Sequence, residues 1–127
     1  DYISLHARLS KETEGIIGAR EIGLMKKTAY LINTARGELV QHDALYQALK
    51  ENRIAGAALD MCEAEPLPDN SPAYTLDNIT ITSHLGGASI QAAEIGARVL
   101  CDGIYDYLVN KASPNYCVNP EFAKFHQ

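Results

Sequence analysis

The chain has no run of lysines and arginines and no apolar stretch of membrane-spanning length. Its 127 residues carry 11 Lys and Arg against 16 Asp and Glu, a formal charge of −5. That balance lacks the electrostatic footprint of a nucleic-acid or anionic-membrane partner, so neither is expected. Cysteine is scarce: Cys62, Cys101 and Cys117 are odd in number and lack C-x-x-C spacing. A disulfide framework and a zinc site are thereby disfavoured, no metal is expected, and a reducing, cytoplasmic compartment fits. The opening residues, Asp1 to His6, have neither the basic flank nor the apolar core of a signal peptide. They also start without methionine on a strand-like run, which leads us to expect a piece of a longer protein. A glycine-rich turn of the G-x-G-x-x-G type is missing as well, since Gly15, Gly18 and Gly23 have neither its spacing nor its context.

What is present alternates strand-like and helix-like segments. A short strand is predicted around Ile3 to Leu5, followed by a polar loop, Ala7 to Gly18, pinned by Leu9, Ile16 and Ile17. A short helix is predicted from Ala19 to Met25, with Lys26 and Lys27 at the carboxyl end favoured by the helix dipole. A second strand follows from about Ala29 to Asn33, broken by Thr34 to Gly37. Val40, Ala44, Leu45, Ala48 and Leu49 then recur at helical spacing as far as Lys50. Ile54 to Asp60 is a third strand, whose small apolar residues suit a strand covered on both faces. Met61 to Asn78 contains Pro66, Pro68 and Pro72 and is predicted as an irregular surface loop. Ile79 to Thr82 is a fourth strand. Ile90, Ala93, Ala97, Leu100, Ile104 and Leu108 mark a long helix to about Val109, and a tail bracketed by Pro114 and Pro120 shows no period. Strands alternating with helices imply right-handed crossovers and an α/β fold: part of a doubly wound, Rossmann-like parallel sheet of about four strands with flanking helices.

In such a sheet all strand carboxyl ends lie on one edge, where open α/β sheets bind ligands. Each predicted strand delivers a polar residue there: His6, Arg36, Asp60 and His84. Glu65 lies just beyond Asp60, within reach of the neighbouring strand end that carries His84. A carboxylate beside an imidazole holds one tautomer and favours the charged form, the arrangement of a proton donor. Arg36 offers a planar fork suited to a carboxylate. Each residue also has a plainer reading, with Arg36 and Glu65 as solvated loop charges, Asp60 as a turn cap and His84 as a strand-end histidine.

Leu31 to Gly37, Ala55 to Asp60 with Glu65-Pro66, and His84-Leu85-Gly86-Gly87, in that order, resemble the second half of the cofactor domain of the D-isomer-specific 2-hydroxyacid dehydrogenases, a family that includes phosphoglycerate dehydrogenases and glyoxylate or hydroxypyruvate reductases. The resemblance implies an oxidoreductase that moves a hydride between NAD, with NADP not excluded, and a small 2-keto or 2-hydroxy acid. It implies that Arg36 binds the substrate carboxylate and carbonyl, that His84 is the acid/base at the carbonyl oxygen, and that Glu65 is its carboxylate partner. It places the Asp60 carboxylate on the nicotinamide carboxamide, backbone at Thr34, Ala35, Gly86 and Gly87 beside the nicotinamide end, and His6 and Ala7 along the cofactor. It also implies a homodimer for the intact protein.

Three positions depart from the family pattern: Ala7-Arg8 where a proline often follows the histidine, Ser83 where a proline commonly precedes the catalytic histidine, and Met61-Cys62 in place of Val-Phe. None removes a reacting group. A carboxylate at position 65 argues against the related formate dehydrogenases, where glutamine holds the histidine. Residues 1–112 are therefore expected to be the second half of a dinucleotide-binding domain, and 113–127 a tail packing toward a substrate domain outside this chain. The phosphate-binding turn would lie upstream, and the fragment alone would be inactive. Two rivals share these residues: an NAD(H)-sensing interaction protein of the corepressor kind, and an inactive isolated fragment.

Overall fold

Short β-branched and apolar runs, the first, second and fourth each followed by a helix and the third by an irregular loop, build a four-stranded sheet in the order β1-β2-β3-β4 with all neighbouring strands parallel. The computed structural model describes residues 1–113 and 116–119. The strands are β1 (Tyr2–Leu5), β2 (Tyr30–Asn33), β3 (Gly56–Leu59) and β4 (Ile79–Ile81). Between them lie α1 (Ala19–Leu24) and α2 (His42–Lys50), and α3 (Ile90–Leu108) follows the last strand. The chain divides into two units, Asp1–Gly86 and Gly87–Gln127.

The first unit holds the core. Leu31 and Leu59 from the sheet, Ile22 from α1, and Leu45 and Leu49 from α2 are each at most 2% exposed, joined by Val40 and Ile54. Burial of this order supplies about 1.5–3 kcal/mol per large apolar side chain before entropy is charged against it. The small residues of β3 serve as anticipated, with three of its four positions buried.

Register fixes what reaches the edge. Leu5 pairs with Asn33, Asn33 with Leu59, and Leu59 with Ile81, so the last residues of all four strands are aligned. The next residues along each strand, His6, Thr34, Asp60 and Thr82, therefore form one row. Arg36 and His84 stand two residues further out, each three residues past its strand.

Several expectations need adjustment. The first helix ends at Leu24 with no basic residue in its last turn, and Lys26 instead pairs with Asp1 at 2.6 Å. Ile16 is 46% exposed and does not pin its loop, whereas Ile17 bridges to Val40 and packs on the core. The loop after β3 contains a 3₁₀ turn, Pro72–Thr75, whose start is held by Ser71 accepting the Ala73 N–H at 3.3 Å. A second 3₁₀ turn, Gly37–Leu39, precedes α2.

The second unit contains α3, 19 residues long, with Ser89 as its N-cap accepting the Ala92 N–H at 3.0 Å and no buried residue along its length. Among the described residues no helix is long and apolar enough to cross a membrane. The expected packing of the tail falls largely on residues 114, 115 and 120–127, which lie outside the described residues.

Candidate functional site

Asn33, the last residue of β2, is fully buried and uses both arms of its amide on the turn that follows. Its Oδ1 accepts the Ala35 N–H at 3.0 Å and its Nδ2 donates to the Arg36 carbonyl at 2.8 Å. A side chain that satisfies two backbone groups in this way fixes the turn between strand and helix. The sequence reading assigned Asn33 no role, although an Asn at a strand end before a break is the available signal. Arg36 is exposed and donates from Nη1 to the Ala35 carbonyl at 2.6 Å. It shares the edge with Glu65 and His84 but makes no ion pair with either among the described residues.

The next residue, Gly37, is where two loops touch. A Cβ built there would stand 1.9 Å from the Cys62 carbonyl oxygen, so only glycine permits this backbone contact. That contact seats the start of the loop carrying Glu63 and Glu65. Glu63 is anchored from α2: Tyr46 donates its hydroxyl to Glu63 Oε2 at 2.8 Å, and burial beside Glu63 raises the phenol well above its ordinary range. His42, one turn earlier on α2, is 8% exposed, with its Nε2 buried, without a hydrogen-bond partner among the described residues and 3.6 Å from Glu63 Oε2. Burial pushes the His42 imidazole down, against the pull of Glu63, Asp43 and Glu38.

At the end of β4 the chain reverses through His84, whose φ of +56° lies in the left-handed region. A histidine there costs on the order of 1 kcal/mol and must be held by its surroundings. Its Nδ1 lies 2.9 Å from Glu65 Oε2, with the two side chains about half exposed. An anionic Glu65 accepts from Nδ1–H, which leaves Nε2 as the nitrogen free to exchange a proton with a ligand. This pairing was anticipated from the sequence. His84 and Glu65 line a cavity of about 580 Å³ together with Cys62, Leu67, Tyr74 and Leu85, a size suited to a small organic ligand.

Asp60 is 8% exposed and its carboxylate is engaged within the same turn. Oδ1 accepts from the Thr82 hydroxyl and from the Leu85 N–H at 2.8 Å, and Oδ2 accepts the Gly86 N–H at 2.7 Å. These donors, the Thr82 hydroxyl foremost, hold the Asp60 carboxyl below the usual carboxylate range. Of roughly four acceptor positions on a carboxylate, one on Oδ2 remains for a donor such as a carboxamide N–H. His6, at the end of β1, is exposed, and its Nε2 lies 2.9 Å from the Ser4 hydroxyl. Ala7, the next residue, and Thr34, just past β2, are exposed, and Gly87 opens the second unit. Among the described residues, no group of three or more His, Cys, Asp or Glu is placed to hold a metal ion.

Comparison with known proteins bears on this arrangement. Residues 1–86 match the family described as D-isomer specific 2-hydroxyacid dehydrogenase, NAD binding domain. A glyoxylate reductase of Thermofilum pendens is 51% identical over 104 residues, which is 79% of this chain and 31% of the relative. A D-3-phosphoglycerate dehydrogenase of Methanocaldococcus jannaschii is 43% identical over 115 residues, 91% of this chain and 22% of the relative. Among solved structures, D-lactate dehydrogenase with NAD+ from Lactobacillus jensenii superposes with a TM-score of 0.84 at 31% identity, covering 93% of this chain and 39% of that one. The chain thus spans well under half the length of these relatives. With the parallel sheet, the aligned strand ends and the match through residue 86, the chain belongs to the D-isomer-specific 2-hydroxyacid dehydrogenases, as part of their NAD-binding domain.

Proposed function

We propose that this chain supplies the proton-transfer half of the active site of an NAD-dependent D-2-hydroxyacid dehydrogenase acting on a small 2-keto or 2-hydroxy acid. The observation that carries this reading is the His84–Glu65 pair, 2.9 Å apart at the ligand-binding edge of the sheet. His84, protonated on both nitrogens and steadied by Glu65 at Nδ1, gives its Nε2 proton to the carbonyl oxygen of the keto acid. A reduced nicotinamide, when bound, supplies the hydride that arrives at the carbonyl carbon. Product leaves as the 2-hydroxy acid, and His84 is reprotonated from solvent. Arg36 has a fork matched to the substrate carboxylate; its present hydrogen bond to the Ala35 carbonyl is to a neighbouring, exposed group and is easily exchanged for one to an anion.

The nicotinamide end fits the residues present. The remaining acceptor position on Asp60 suits the carboxamide, and backbone at Thr34, Ala35 and Gly86 borders the same edge. His6 and Ala7 extend along the first strand end. The cofactor phosphates would be held by residues upstream, so the chain by itself is not expected to turn over. The same reading carries a homodimeric, cytoplasmic protein with no nucleic-acid or membrane partner.

The test uses the intact protein and a panel of 2-keto acids with NADH and NADPH. His84→Ala should lower kcat by about 10²–10⁴-fold while the cofactor dissociation constant changes little. Equal losses in turnover and cofactor affinity would overturn the assignment of His84. Arg36→Ala should raise KM for the keto acid, with lysine a poor substitute. An unchanged KM would remove Arg36 from the substrate site.

A further inference from the structure

His84 sits in a left-handed conformation in a turn that is exposed on every residue from Thr82 to Gly86. Apolar packing therefore does not hold the turn. Asp60 does, from the neighbouring strand. Its carbonyl accepts the His84 N–H at 3.0 Å, and its carboxylate accepts the N–H groups of Leu85 and Gly86, the two residues that follow. The Thr82 hydroxyl, in the same row as Asp60, donates to Oδ1 and fixes the carboxylate from the other side. Every backbone N–H from His84 to Gly86 is thus directed to one residue. A Cβ at Gly86 would come within 2.9 Å of Asp60 Oδ2, so the carboxylate also occupies the space that a side chain there would need.

We propose that Asp60 and Thr82 are positioning residues that clamp the 84–86 turn and set the His84 ring against Glu65. Resting on the reading of His84 as proton donor, this adds to Asp60 a role directed at the turn, separate from any contact with cofactor. The pairing gives Thr82 its part: without its hydroxyl the carboxylate loses one of three donors and is freer to rotate away from the turn. The three hydrogen bonds reach a charged acceptor, the class that contributes most per bond.

The test has two arms. In the intact protein without substrate or cofactor, amide hydrogen exchange at Leu85 and Gly86 should accelerate about tenfold or more in Asp60→Ala and by a smaller factor in Thr82→Val. Under turnover, Thr82→Val should lower kcat and move the pH profile of kcat, with a smaller rise in the cofactor KM, and Thr82→Ser should restore all three. Unchanged exchange at Leu85 and Gly86 in Asp60→Ala would overturn the clamp. So would a Thr82→Val defect confined to the cofactor KM. Should Asp60→Ala fail to fold, the Thr82 pair carries both arms alone. Accelerated exchange together with full turnover in His84→Ala would support the clamp and remove the proton-donor reading, so the two failures are distinguishable.

Discussion

Helices α2 and α3 carry the same kind of sequence signal and come to opposite ends. Over nine residues α2 buries five, with Leu45 and Leu49 at most 1% exposed. Over 19 residues α3 buries none, and Ile90, Leu100 and Leu108 are 75%, 63% and 59% exposed. A period of 3.6 therefore establishes that a helix forms and which face is apolar. It does not establish that the face is covered. What differs is the company: α2 packs with the sheet and α1 in one core, whereas α3, in the other unit, begins at its Ser89 cap and lines a cavity with residues 116–119.

The largest test of this contrast is a matched pair of truncations in the chain itself. Leu45→Ala should cost about 2–5 kcal/mol in urea denaturation. Leu100→Ala should stay within about 0.5 kcal/mol. A loss above about 1 kcal/mol at Leu100, by the same measurement, would mean that the α3 stripe is covered in solution and would break the contrast. A smaller effect is expected where α2 meets the Glu65 loop: Tyr46→Phe removes the hydroxyl bonded to Glu63 and should cost about 1 kcal/mol. The accompanying change should be faster amide exchange at Cys62 to Glu65, with α3 unaffected.

The mildest effect is one of pH. His42 on α2 has its folded-state pKa lowered by burial, so the unfolded chain binds the proton first. Above about pH 6.5 the residue is neutral in both states and contributes no pH dependence. As pH falls below that value, stability declines toward the folded pKa, and His42→Gln should flatten this part of the profile. Asp60 acts in a lower window with its own sign: its folded pKa is depressed, so its contribution is present above about pH 4 and is lost on further acidification. α3 contains no histidine, and its helicity by circular dichroism should not change between pH 7 and pH 5.

Much of the site could be read from residue order. The strand ends carrying His6, Asp60 and His84 follow from parallel alternation, and Glu65, just beyond Asp60, falls within reach of the next strand end. The parts not legible are those decided by register and by turn geometry. Asp60 and Thr82 are neighbours only because Leu59 pairs with Ile81. The direction of the Asp60 carboxylate depends on how the chain folds back after β4. Nothing in the order of residues marks His42, a polar residue at a helix start, as buried with the Glu63 carboxylate 3.6 Å from its Nε2. Lys26 was read through the helix dipole, yet its partner is Asp1, twenty-five positions earlier and adjacent in space.

The contact between Gly37 and the Cys62 carbonyl gives the two neighbouring positions opposite freedom to drift. Because the loop is seated through main chain, the side chain at position 62 can change without unseating Glu63 or Glu65. Position 37 has no such latitude, since any added carbon collides with an atom that every residue at 62 possesses. A saturation library should therefore return a broad spectrum at 62 and a single residue at 37. The spacing of the loops that carry Arg36 and Glu65 would then be inherited through the backbone contact at a single glycine.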